Sequence, residues 1–299
     1  MIPFLDALLA KPLVAMGPVG TNFHRQGLMQ LGENTSLWCL HNRHYFQNAL
    51  KLWVELGCDI IHPNSSEANA LILEKSKAGL SSEEICARLV SYAREVAENQ
   101  CYIGGDMQTL TLSTGRFLVP YGILEHERIY DSYRRQAEAL YRAGVDFFWL
   151  FTMVDLKEVQ LAVQAVRDTC ALPVVVTMAF DRTRHRGYRT LMGVEAAEAA
   201  RLMQGLQVDV FGTNCGSLNM HETSGVLRVL REEYRGFLAV SPNAGLPKVI
   251  EGETVYSIGP GEMAESVPEW LDCGASIISG CCGATPEHIQ ALIEKLQEA

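Results

Sequence analysis

Residues 142–148 read RAGVDFF. An amphipathic helical stretch ends at a glycine, and an apolar, aromatic run follows at once. Glycine takes the left-handed conformation that closes a helix C-terminus at little cost. The run after it suits a short buried strand. The same phrase appears upstream as ELGCDII at 55–61 and downstream as DCGASII at 272–278. A helix-to-strand turn used three times marks a repeated strand–helix unit.

Working outward, strand-like runs fall at 13–16, 59–62, 102–105, 146–151, 174–178, 209–211, 237–240 and 276–278. Between them, 125–142, 156–169, 194–205 and 286–297 carry helical periodicity. The phrase GLSSEE at 79–84 joins a helix stop to a capped start, so 64–100 should hold two consecutive helices. Eight strand–helix alternations predict a single-domain (β/α)8 TIM barrel over residues 1–299. A doubly wound open sheet is the alternative, but no G-x-G-x-x-G opens a helix after a strand.

Hydrophobic residues make up 48% and charged residues 20%, which fits an ordered globular chain rather than a disordered one. A net charge of −10 argues against nucleic-acid binding, which needs a basic footprint. No apolar run reaches the length of a membrane span. The first residues are interrupted by Asp6 and Lys11 and lack the basic segment of a signal peptide. A cytoplasmic protein with no membrane or nucleic-acid partner is expected; oligomeric state is left open.

Nine cysteines are an odd number, and most sit in apolar segments, which argues against a secreted disulfide framework. In a barrel the working face is where strands end and βα loops begin. Cys58 and Cys273 precede their strands, Cys101 enters one, Cys86 lies in a helix and Cys170 at a helix end. Cys39 falls in an irregular stretch. The first five read as packing residues, and Cys39 is left undecided with packing favoured. Cys215, in DVFGTNCGS, follows the sixth strand, and Cys281 and Cys282, in IISGCCGATPEH, follow the eighth. Three thiolates over the mouth would make a three-sulfur face for Zn2+ with a fourth position open, the mark of a catalytic site. Adjacent ligands need a sharp backbone turn, which Gly280 and Gly283 can supply. Asn214 can tie down its own loop. Spacing alone leaves this open against a buried or redox-active vicinal pair.

At these residues the sequence resembles the homocysteine S-methyltransferases. GTNCG at 212–216 and SGCCGATPEHI at 279–289 look like that family's two zinc motifs. SPNAGLP at 241–247 resembles its seventh-strand loop, and MGPVGTNFHRQG at 16–27 its glycine-rich first loop. Residues 150–180 resemble its fourth-to-fifth strand unit. The resemblance implies a (β/α)8 barrel, one Zn2+ on Cys215, Cys281 and Cys282, and methyl transfer to a thiol activated there. A thiol is mostly protonated at neutral pH, and coordination removes the proton. The matched loops make Gly17, Gly20, Thr21, Asn64, Thr152, Asn214 and Asn243 candidate substrate contacts. Three places depart from the family pattern: Met16, Phe151 and the second-strand loop, which reads HPNSS at 62–66 and keeps Asn64. Met16 and Phe151 stand where the family has acids that hold the ammonium group of homocysteine. The acceptor is therefore homocysteine held differently or a related thiol, and His24, Arg25, His62, Glu67 and His185 could take over.

No D-x-H-x-x-G occurs in these 299 residues. The expected donor is a small onium compound or methylcobalamin on a separate corrinoid protein. The basic stretch FDRTRHRGYRTLMG at 180–193 could be a lid or docking surface, with Arg182, Arg184 and Arg186 as its charges. Two rivals stand beside the enzyme. One is a zinc, thiol or corrinoid-binding component without homocysteine methylation. The other is a metal-free vicinal-dithiol redox protein.

Overall fold

The expected strand runs close into a ring in the computed structural model, which describes residues 1–74, 76, 79–184, 187–250 and 253–298. Its strands are β1 (Leu13–Val14), β2 (Ile60–Ile61), β3 (Tyr102–Gln108), β4 (Phe147–Met153), β5 (Val174–Met178), β6 (Val210–Asn214), β7 (Phe237–Ser241) and β8 (Ala275–Ile278). Every neighbour pairing is parallel, in the order β1-β8-β7-β6-β5-β4-β3-β2. A parallel bridge from Ala15 to Ile60 joins the ends, and the Met16 N–H donates to Ile60 O at 2.9 Å. Parallel strands need crossovers, and the intervening helices cover the outside of the ring. This is a single α/β domain of the (β/α)8 kind.

The glycine turns behave as their sequence implies. Gly57, Gly144 and Gly274 have φ of +93°, +89° and +87°, each just before a barrel strand. Residues 64–100 hold helices Ala70–Leu73 and Ser82–Ala97, the second opened by a reciprocal cap between Ser81 and Glu84. Cys39 departs from expectation. It lies in helix Thr35–His41, fully buried, because Asn34 caps that helix by accepting the Leu37 N–H. Strand β6 runs to Asn214, three residues beyond the expected end, since Thr213 and Asn214 continue the ladder against Val240 and Ser241.

The barrel interior is filled by Tyr102, Phe147, Trp149, Val175, Val210, Ala239 and Ile277. Helix Phe4–Ala10 closes the end away from the strand C-termini. Phe4 stacks on Phe147 at 4.0 Å between centroids, and the Tyr102 hydroxyl donates to Ile2 O at 2.7 Å. Two antiparallel hairpins decorate the opposite end, Asp181–Arg182 with Tyr188–Arg189 and Lys248–Ile250 with Glu253–Val255. No helix among the described residues is long and apolar enough to cross a membrane.

Candidate metal centre and active site

The C-terminal ends of β6, β7 and β8 bring the three cysteines together. Cys215 leaves β6 with φ +55°, a left-handed conformation that side chains rarely adopt. Its N–H donates to Ser241 O at 3.2 Å. On the β8 side, Cys281 N–H donates to Pro242 O at 2.7 Å, and Cys282 O accepts the Ala244 N–H at 3.0 Å. Both cysteine loops are thus pinned to the loop after β7. Their three Sγ atoms all lie within 4.8 Å of one another.

The turn that lets neighbours 281 and 282 face one point has two causes. Gly283 has φ +80°, and a Cβ there would lie 2.1 Å from the Tyr256 ring. Gly280 does not take positive φ, contrary to expectation. A Cβ on it would sit 2.5 Å from that of Ala284, so it permits close approach rather than an unusual dihedral.

The donor set fits zinc. About 2.3 Å per Zn–S bond in a tetrahedron implies sulfurs about 3.8 Å apart. Cys215 and Cys282 stand at 3.9 Å, close to that spacing, and Cys215 and Cys281 stand at 2.6 Å. No His, Asp or Glu joins the cluster among the described residues. The thiols share one negative charge. Hydrogen bonds from Cys215 and then Cys281 pull Cys282 down to about 3. Cys281 is driven far up by its bonds with Cys215 and Cys282 and by burial. Cys215 is pulled down by Cys281, but the Cys282 bond and burial outweigh that and leave it at about 12. A cation placed among the three sulfurs would favour the thiolate form of each.

The cysteines face a cavity of about 270 Å3. Gly17, Gly20, Thr21, Asn64, Thr152 and Asn214 all line it, as do Met16, His62 and Phe151. Asn243 is not among its lining residues. It is buried, and its Nδ2 donates to Gly216 O at 2.9 Å, which holds the Cys215 loop from behind. Asn214 also differs from expectation. Instead of binding its own loop it reaches across to β4, because Thr152 presents an amide and a hydroxyl toward it. Thr21 Oγ1 accepts the Gly283 N–H at 3.4 Å, and Asn22 Nδ2 donates to Ala284 O at 3.0 Å, so the first loop is laced to the cysteine pair. Asn64 has φ +59°, and its amide donates to Cys39 Sγ at 3.2 Å.

The wall beneath the cysteines is apolar and aromatic. Trp149 and Phe151 stack at 4.5 Å, and the His62 ring meets both edge-on at 5.1 Å. Met16 is buried, and its Sδ accepts the His62 N–H. His62 Nδ1 lies 3.0 Å from Gly104 O, which can only accept, so Nδ1 carries the proton. Burial holds this imidazole below its ordinary value, against the pull of Asp106 and the Gly104 bond.

Two contributors escaped the sequence. Asp106 is buried at the cavity edge, where it accepts from Ser65 N and Oγ and from Ser66 N at 2.9–3.0 Å and so shapes the loop after β2. It lies one residue beyond the expected end of the third strand run at 102–105, inside β3. Tyr256 covers Gly283 from a hairpin with no sequence signal, and burial together with the nearby thiols pushes its phenol up to about 12. His24 and Arg25 line a neighbouring cavity instead. His185 and Arg186 lie outside the described residues. Arg182 and Arg184 belong to the 181–189 segment, whose Asp181 accepts the Ser217 N–H at 2.9 Å beside the Cys215 loop.

The sequence matches the homocysteine S-methyltransferase family over residues 13–296, and the chain belongs to that family of methyltransferases. It is 28% identical to methionine synthase of Mycobacterium leprae over 250 residues, covering 80% of this chain and 20% of that protein. Against methionine synthase of Mycobacterium tuberculosis it is 27% identical over 312 residues, covering 96% of this chain and 25% of the other. The chain thus spans a quarter or less of the length of these relatives. The metallated form of the homocysteine methyltransferase MmuM from Escherichia coli superposes with a TM-score of 0.79 at 20% identity, covering 97% of this chain and 99% of that one. At that identity the likeness is one of fold.

Proposed function

We propose that this protein is a zinc-dependent methyltransferase whose acceptor is a thiol, homocysteine or a relative of it. The observation that carries the proposal is the cluster of Cys215, Cys281 and Cys282 at the barrel mouth with no fourth protein donor among the described residues. Zinc held there would supply a Lewis acid that strips the proton from an incoming thiol and keeps the sulfur nucleophilic.

The chain's own residues do the rest. Thr152 and Asn214 fix the direction of Cys215. The first loop, through Thr21 and Asn22, holds the turn that carries Cys281 and Cys282. Gly17, Gly20, Thr21 and Asn64 border the acceptor beside the aromatic wall. The acceptor sulfur attacks the methyl carbon, a new S–C bond forms, and the donor leaves with the electron pair of the broken bond. Holding sulfur and methyl in line removes orientational cost. The donor is a small onium compound that enters the cavity, or methylcobalamin carried by a separate corrinoid protein that docks on the rim. Nine free cysteines fit a cytoplasmic protein.

Metal analysis of freshly reduced protein tests this directly. About one zinc per chain is expected, falling to near zero in Cys282→Ala. A zinc-free protein that cycles between dithiol and disulfide would replace the methyltransferase with the redox alternative. Zinc and thiol binding without turnover on either donor class would make it a binding component.

A further inference from the structure

We infer that Glu67 is the specificity-determining residue that receives the positive charge of a ligand lying over the cysteines. The inference rests on the proposed thiol site. Among the described residues, the cavity holding the three cysteines has two carboxylates in its lining, Asp106 and Glu67, and no Lys or Arg. Asp106 is 4% exposed, and both its oxygens already accept from Ser65 and Ser66. It is committed to its loop.

Glu67 is arranged differently. It is held at three points, so its carboxylate is aimed rather than free to swing. Its N–H donates to Ser36 Oγ at 3.1 Å, its carbonyl accepts from Asn34 Nδ2 at 3.1 Å, and Oε2 accepts the Thr35 N–H. Oε1 has no hydrogen-bond partner among the described residues, and the side chain is half-buried. Glu67, Thr35, Gly20 and Thr21 also line the adjoining cavity of about 340 Å3, so the residue stands where the two spaces meet. A preorganised carboxylate with one open oxygen, on the cysteine side of a lining that also holds Trp149 and Phe151, and with Arg25 of the adjoining cavity donating to Asn22 Oδ1 at 3.4 Å, suits a small organic cation. Met16 and Phe151 offer such a group no counter-charge. The cation is either the ammonium of an amino thiol or the onium group of a methyl donor.

Glu67→Gln tests this, since an amide oxygen can still accept the Thr35 N–H. Calorimetric titration of zinc-loaded protein should use homocysteine, 4-mercaptobutyrate (the same thiol without its amine) and tetramethylammonium. Binding of 4-mercaptobutyrate to the wild type checks the thiol site alone; without it the proposed function falls and takes this inference with it. Given that binding, Glu67→Gln should weaken one of the two cations about tenfold or more, with 4-mercaptobutyrate within twofold. Loss confined to homocysteine assigns the ammonium, and loss confined to tetramethylammonium assigns the donor. Unchanged affinity for both cations, or an equal loss for 4-mercaptobutyrate, overturns the inference.

Discussion

Asn214 and Thr152 are bound to each other twice across the barrel mouth: Asn214 Oδ1 accepts the Thr152 N–H at 2.9 Å, and its Nδ2 donates to the Thr152 hydroxyl at 2.8 Å. Thr152 has φ +56° and the adjacent Cys215 +55°. Two unfavourable backbones are held in place by one buried amide. Asn214→Ala removes both bonds and leaves the Thr152 N–H unpaired. A loss of about 2–3 kcal/mol in stability is expected, with weaker zinc retention against a chelator, since Cys215 is freed to relax. Denaturant titration and metal competition measure the two effects separately. Zinc affinity equal to the wild type would show that Cys215 is positioned by other means.

Gly283→Ala should do more damage than its left-handed dihedral alone accounts for. The dihedral penalty is about 1–2 kcal/mol. Gly27, with φ +70° and open space around its Cβ position, supplies the control. At Gly283 the added methyl also meets the Tyr256 ring, and the cysteine turn must open to admit it. Gly27→Ala should keep full zinc content, while Gly283→Ala should lose most of it. Equal behaviour of the two variants would remove Tyr256 from the account.

How much of this was legible follows from the kind of signal each part carries. The barrel strands were readable because helix stop, glycine and apolar run are local features, as at Gly144 and Gly274. The cysteines were readable because their place after strands six and eight follows from that order. The partner of Asn214 was not, since Thr152 is 62 residues away and only closure of the ring brings it near. Asp106 and Tyr256 escaped for the same reason. Cys39 was misplaced because its helix depends on a cap from Asn34 that the surrounding apolar pattern did not announce.

His62 should make stability depend on mildly acidic pH. Burial depresses its folded-state value below the ordinary 6.5. Between those two values the unfolded chain binds a proton that the folded chain refuses. Stability should therefore fall as pH drops below about 6.5, by up to about 1.4 kcal/mol per unit, and level off below the folded value. His62→Gln, which can still donate to Gly104 O, should flatten that slope. Denaturation midpoints of both proteins from pH 7.5 to 5 compare them, and parallel curves would clear His62.

Glu158 presents the opposite sign. It is fully buried in helix Leu156–Thr169, with no ion pair among the described residues, and accepts from Thr109 Oγ1 at 2.9 Å, Tyr133 OH at 2.7 Å and the N–H groups of Leu110 and Thr111. It therefore clamps the segment after β3 against the helix that follows β4. Burial raises its carboxyl above the usual range, against the pull of those four donors. Glu158→Ala leaves the donors unpaired and should cost about 3–5 kcal/mol. Glu158→Gln keeps one strong acceptor and can turn its amide toward Thr109 Oγ1, so its cost should be smaller. The folded carboxyl holds its proton to higher pH than the unfolded one. As pH falls through the raised value, the wild type therefore gains stability relative to Glu158→Gln. The difference between the two proteins should thus widen in favour of the wild type as pH falls from neutrality toward the ordinary carboxyl value of 4.5. A constant difference would mean that the four hydrogen bonds offset the cost of burying the charge.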